Sequence, residues 1–140
     1  MKHFEVDFKI FSELCYTVLN KVTATEKKYN AILCPLKGGF YLSYFMSKHL
    51  SLPLVYLEIS SYSGKEQIIF TIGLRPQLEE GLFLLCDDIY DSGNTVKKIH
   101  SLYPQAKFDM AFLISKKMSN DLIYGKYVEN EWVDFFWEVM

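Results

Sequence analysis

Residues 84–99 read LLCDDIYDSGNTVKKI. The apolar part, GLFLLC over 81–86, shows no alternation of polar and apolar residues. An unbroken run of this kind suits a central parallel strand covered on both faces. It ends in two adjacent acids, Asp87 and Asp88. Asp91-Ser92-Gly93-Asn94-Thr95 then reads as a strand-to-helix turn, with a helix expected over Asn94–Tyr103 and stopped by Pro104. In open parallel sheets ligands sit just beyond the carboxyl ends of the strands. The acids and the small polar residues therefore stand where a ligand would bind.

Working outward, strand and helix alternate. DFKIFSELCYTVLNKV, 7–22, places Phe8, Phe11, Cys15, Val18 and Val22 at helical spacing. AILCP, 31–35, is a buried strand, and KGGFYLSYFMSKHL, 37–50, opens a helix. PLVYLEI, 53–59, is a second strand. The polar interruption SSYSGKEQ follows, and QIIFTIG is expected to be a short hairpin arm. FDMAFLIS, 108–115, is another buried strand, whereas the chain from Lys116 is more irregular and ends in the aromatic EWVDFFWEV. This order predicts a single α/β domain with a mostly parallel central sheet flanked by helices.

Composition narrows the function. Half of the 140 residues are apolar and 16% are aromatic, which gives one domain a real core. No apolar run is long enough to cross a bilayer, and the N-terminus has no cleavage-site pattern, so a cytoplasmic protein without a membrane partner is expected. The net charge of −2 leaves no footprint for nucleic acid. There are fourteen lysines and one arginine, Arg75. A phosphate ligand must therefore be met by lysine, backbone amides or a metal ion rather than by arginine clamps. Cys15, Cys34 and Cys86 lack zinc spacing and are expected to be buried thiols.

The loop itself has a chemistry. Backbone N–H groups at the helix start, with the Ser92 and Thr95 hydroxyls, are expected to face outward unpaired and to cup a phosphate monoester. Gly93 permits a positive φ or a close approach. The vicinal carboxylates of Asp87 and Asp88 could accept hydrogen bonds from a diol or hold hydrated Mg²⁺. A sugar 5-phosphate with free 2- and 3-hydroxyls offers groups at about that separation. The competing reading is that the acids and hydroxyls only cap the helix. A nucleotide P-loop does not compete, because GxxxxGK[ST] is absent.

The stretch LLCDDIYDSGNT resembles the phosphoribosyl-pyrophosphate (PRPP) motif of type I phosphoribosyltransferases: four apolar residues, two acids, two apolar residues, Asp, Thr or Ser, Gly, any residue, Thr. LCPLKGG, 33–39, is similar to the pyrophosphate loop of the 6-oxopurine branch, the hypoxanthine-guanine and xanthine-guanine enzymes. The resemblance implies PRPP binding by Lys37, Gly38, Gly39, Asp87, Asp88, Asp91, Ser92, Gly93, Asn94 and Thr95, with a non-proline cis peptide at Leu36–Lys37. It implies a catalytic proton role for Asp91 near purine N7.

The last third resembles the short bacterial xanthine-guanine type, with a core over about 1–115 and a base-binding hood over about 116–140. By that resemblance Lys116 donates to the purine O6, with Lys117 as the neighbouring alternative. Trp132 stacks on the base, Val133 offers backbone groups to its edge, and Glu138 stands near the purine 2-position and, with Asp87 and Asp88, near Mg²⁺. Ser61 and Tyr62 match a Ser-Tyr pair on a loop that covers the site. The function implied is transfer of the 5-phosphoribosyl group from PRPP to N9 of guanine, xanthine or hypoxanthine in purine salvage, by a dimer or tetramer. Some proteins of this fold keep the PRPP loop but act as regulators, which is the alternative. The chain departs from the pattern in its missing arginines, its glutamate at 138 in place of aspartate, and its stop at Met140.

Overall fold

The computed structural model describes residues 1–62, 65–72 and 81–139, with backbone only at 58–62, 65–72, 102 and 139. Strand β1 (His3–Val6) is followed by helix α1 (Phe8–Ala24). Asp7 caps that helix, its carboxylate accepting from the Ile10 N–H at 2.8 Å. Then come β2 (Ala31–Leu36), α2 (Phe40–Leu50), β3 (Leu54–Tyr62), β4 (Lys65–Ile72), β5 (Leu82–Tyr90), α3 (Asn94–Leu102) and β6 (Lys107–Ser115). The chain closes with β7 (Ile123–Tyr127), β8 (Trp132–Phe135) and one 3-10 turn, Phe136–Val139.

The main sheet runs β4-β3-β2-β5-β6-β7, and only β4 is antiparallel to its neighbour. Its two faces carry separate cores. On one, Leu14, Cys15 and Val18 of α1 and Leu42 and Met46 of α2 pack on Leu84 and Cys86. On the other, Val96 and Ile99 of α3 pack on Phe83 and Leu85. Consecutive residues of β5 thus point into opposite cores, which is why the run 82–86 does not alternate. Burying each such side chain contributes about 1.5–3 kcal/mol. Ser43, buried on α2, donates from its hydroxyl to the Cys86 carbonyl at 2.8 Å, which fixes α2 to the middle of β5. All three cysteines are buried and free, as expected. Among the described residues, no helix is long and apolar enough to cross a membrane.

Three expectations change. The sequence reading has no strand before α1, whereas β1 pairs in parallel with β8 in a separate two-stranded sheet. The tail from Lys116 is less irregular than expected, because β7 is the sixth strand of the main sheet. β7 thus extends the main sheet beyond residue 115, and β8 takes its partner strand from the N-terminus. Finally, β3 runs on to Tyr62, so much of the polar stretch 60–67 is a two-stranded hairpin. Each missed strand is short or polar, and its register is set by a partner distant in sequence.

Candidate active site

The crevice lies where strand order reverses. β2 pairs with β3 on one side and β5 on the other, and the helices that follow β2 and β5 cover opposite faces. The carboxyl ends of β2 and β5 therefore flank a topological switch point. The sequence loops 36–39 and 90–95 meet there.

The first loop is built by close approach. The Leu36–Lys37 peptide is cis, as the resemblance implied. A Cβ added at Gly38 would overlap the Asp88 carboxyl, whose Cγ would lie at 2.9 Å. At Gly39 it would meet the carbonyl oxygens of Pro35 and Cys86 at 2.5 and 2.8 Å. Backbone leaves no room for a side chain at Gly39, and at Gly38 one would fit only if the Asp88 carboxyl moved; the pair brings the Lys37–Gly39 backbone against Asp88.

The second loop is built by local hydrogen bonds. Asp87 Oδ1 accepts from the Asp88 N–H at 2.8 Å, and Asp88 Oδ1 accepts from the Ile89 N–H at 2.7 Å. Gly93 caps α3 at φ +79°, a left-handed conformation that favours glycine. Ser92 Oγ accepts from the Asn94 N–H at 3.3 Å. That N–H is therefore not unpaired as the sequence suggested; it is held by a long bond that a phosphate oxygen could replace. Residues 87–96, with Phe112 behind, line a hollow of about 250 Å³ that contains all the motif's polar residues. Asp91 and Ser92 are exposed at its mouth.

A second hollow, of about 510 Å³, shares Asp88 with the first. The pyrophosphate-loop residues 36–38 form one wall, Phe40 and Tyr41 another, and Trp137 with Glu138 a third. Burial pushes the Asp88 carboxyl above the usual carboxylate range. Glu138 is also raised, first by burial and further by the charge of Asp88. These oxygen-only donors suit a hard cation such as Mg²⁺. Among the described residues, however, no three His, Cys, Asp or Glu side chains are grouped closely enough to hold a metal alone. Asp87, Asp88 and Glu138 would need ligand oxygens or water to complete such a site.

Lys116 and Lys117 separate clearly. The Lys116 N–H donates to the Tyr90 carbonyl at 2.8 Å, and its ammonium donates to the Glu131 carbonyl, next to Trp132. Lys117 is exposed. Trp132 is 55% exposed on β8, while Val133 is buried opposite Phe4. Lys116, Trp132 and Val133 line neither hollow. Ser61 and Tyr62 end β3, paired with Glu66 and Lys65. Because β3 runs parallel to β2, they stand at the same end of the sheet as both loops, but their side chains lie outside the described residues, as does Arg75. The sequence reading did not single out Tyr41 or Trp137. The available signals were the place of Tyr41 just after the double glycine and that of Trp137 beside Glu138.

Fold and site together define an α/β protein with a polar crevice at a parallel-sheet switch point. Residues 9–139 match the family described as phosphoribosyl transferase domain, and the chain belongs to that transferase family. It is similar to a xanthine-guanine phosphoribosyltransferase of Vibrio parahaemolyticus, at 24% identity over 99% of this chain and 90% of the relative. Among solved structures, it is similar to a xanthine-guanine-hypoxanthine phosphoribosyltransferase of Helicobacter pylori, with a TM-score of 0.73 and 26% identity over 98% of this chain and 94% of that one. A purine phosphoribosyltransferase of Pyrococcus horikoshii shares the fold at a TM-score of 0.80, with 19% identity over 98% and 94% of the two chains.

Proposed function

We propose that this chain transfers the 5-phosphoribosyl group of PRPP to N9 of a 6-oxopurine, yielding the nucleoside monophosphate and pyrophosphate in cytoplasmic purine salvage. The observation that carries the reading is the meeting of two loops on one carboxylate, Asp88. One loop is a glycine-built backbone turn and the other is the cup from Asp87 to Thr95.

In this reading the amides and hydroxyls of residues 92–95 bind the 5-phosphate, and Asp87 and Asp88 take the ribose hydroxyls. The Lys37–Gly39 backbone and the Lys37 ammonium face the pyrophosphate. The C1–pyrophosphate bond breaks, positive charge develops on the ribose, and N9 forms the new bond from the opposite face. Asp91 accepts or shares the purine proton displaced during attack. Preorganised loop amides stabilise the leaving group without reorganising. Bound Mg²⁺, held by Asp87, Asp88 and Glu138 with substrate oxygens, would supply charge neutralisation for the pyrophosphate.

The relatives' names support a 6-oxopurine, and Lys116 is the donor that the resemblance assigns to its C6 carbonyl. An ammonium donor favours a carbonyl at purine C6 and leaves adenine's amino group unpaired. Pyrophosphate release is measured with PRPP, Mg²⁺ and guanine, xanthine, hypoxanthine or adenine supplied separately. Release with a 6-oxopurine but not adenine is expected. PRPP binding without release for any base would overturn the enzyme reading in favour of a regulator.

A further inference from the structure

We infer that Tyr41 is a positioning residue, whose ring, stacked on Trp137, holds Glu138 at the hollow shared with Asp88 and the pyrophosphate loop. The inference rests on the reading above and adds a residue that the motif resemblance does not reach.

Tyr41 sits in the first turn of α2, two residues after Gly39, so its backbone continues directly from the loop. Its ring lies on the Trp137 indole at 4.1 Å between centroids and 11° between planes. The indole also stacks on the ring of buried Phe135, at 4.6 Å and 9°. Phe11 and Phe136 close its edges at 5.6 and 5.1 Å. Trp137 is thus gripped by α1, α2 and β8 together. Glu138, next in sequence, belongs to a single 3-10 turn. Such a turn has no long ladder of its own to fix a side chain, so the grip on Trp137 sets where the carboxylate stands. Tyr41, Trp137 and Glu138 line one hollow with Gly38 and Asp88.

A stack that only stabilised the fold would change the melting temperature and leave ligand preference alone. A positioning stack acts through Glu138, on PRPP more than on the base. Calorimetric titration of the full chain with PRPP at fixed Mg²⁺ reads this without turnover. Tyr41→Leu is expected to weaken PRPP about tenfold and the base about twofold or less, with Tyr41→Phe restoring the wild-type value because it keeps the ring. Glu138→Gln should weaken PRPP similarly, and the double variant no more than the weaker single variant, because both changes break one path. Should Tyr41→Leu not fold, Trp137→Phe carries the same comparison with a smaller ring. Equal PRPP affinity in Tyr41→Leu and wild type, or losses that multiply in the double variant, would overturn the inference. Wild-type protein that binds no PRPP would instead remove the proposed function.

Discussion

The loop after β5 and the hood are built in opposite ways. The loop is contiguous: ten residues from Asp87 to Val96 line one hollow, held by backbone bonds and short polar side chains. The hood joins the two ends of the chain, β1 with β8, and its last turn is held by aromatic rings from three elements. A contiguous site can lose one functional group and keep its shape. A site assembled from distant segments can lose its shape while every functional group remains.

The largest break in that comparison should come from the loop. Asp91 is exposed and lines the cup. Asp91→Asn is expected to lower kcat about 10²–10⁴-fold while PRPP affinity and melting temperature stay near wild type. Equal falls in kcat and PRPP affinity would assign Asp91 to binding alone. Gly39→Ala is the contrasting case within the same crevice. The new Cβ would meet two backbone carbonyls, neither of which can rotate away. Destabilisation of about 1–3 kcal/mol, read by denaturant titration, should accompany the loss of activity.

Lys116 joins the two regions, with its amide on the β5 end and its ammonium on the hood. Lys116→Gln should narrow the preference for a 6-oxopurine over adenine by about tenfold or more in kcat/KM. Unchanged preference would transfer the role to another donor.

Asp88 sharpens the comparison through pH. Burial raises its pKa in the folded chain, whereas an unfolded aspartate ionises near 3.9. Between those two values the folded state holds the extra proton, so stability falls as pH rises through the window. The full penalty is present above the folded pKa. Asp88→Asn should therefore raise the melting temperature of ligand-free protein at neutral pH, with the gain vanishing in acid, while PRPP binding is lost. A variant less stable than wild type at neutral pH would show that the Ile89 N–H bond outweighs the burial penalty.

Legibility in the sequence followed the same division. β5, α3 and the residues from Asp87 to Thr95 could be read because strand, turn and helix signals lie within twenty residues of one another. The KGG turn could be read in the same way, although the reason for its glycines, an opposing carboxylate and two carbonyls, comes from residues far along the chain. β1 has four residues and β7 includes Gly125 and Lys126, so neither carries a strong period. Their pairing depends on partners that no local pattern can name. Trp132 was singled out for its family position, while Trp137, five residues on, faces the hollow because Tyr41 and Phe135 stack on it.

The smallest expected effect tests whether the hood is a separate unit. His3 Nδ1 and Asp134 Oδ2 lie 2.6 Å apart across the β1–β8 pair, with side chains 54% and 36% exposed. Water screens a pair so placed, and His3→Ala should change stability by only about 0–1 kcal/mol. Its interest lies in which ligand responds. β1 pairs with the strand that carries Trp132 and Val133, and it does not touch the loop after β5 through any strand pairing. A small rise in KM for the base, with KM for PRPP unchanged, would place the N-terminal strand in support of the base side alone. Equal small rises in both would mean that the hood transmits its register to the PRPP loops, through Lys116 on one side and the Tyr41–Trp137 stack on the other, so that the two regions work as one body despite their different construction.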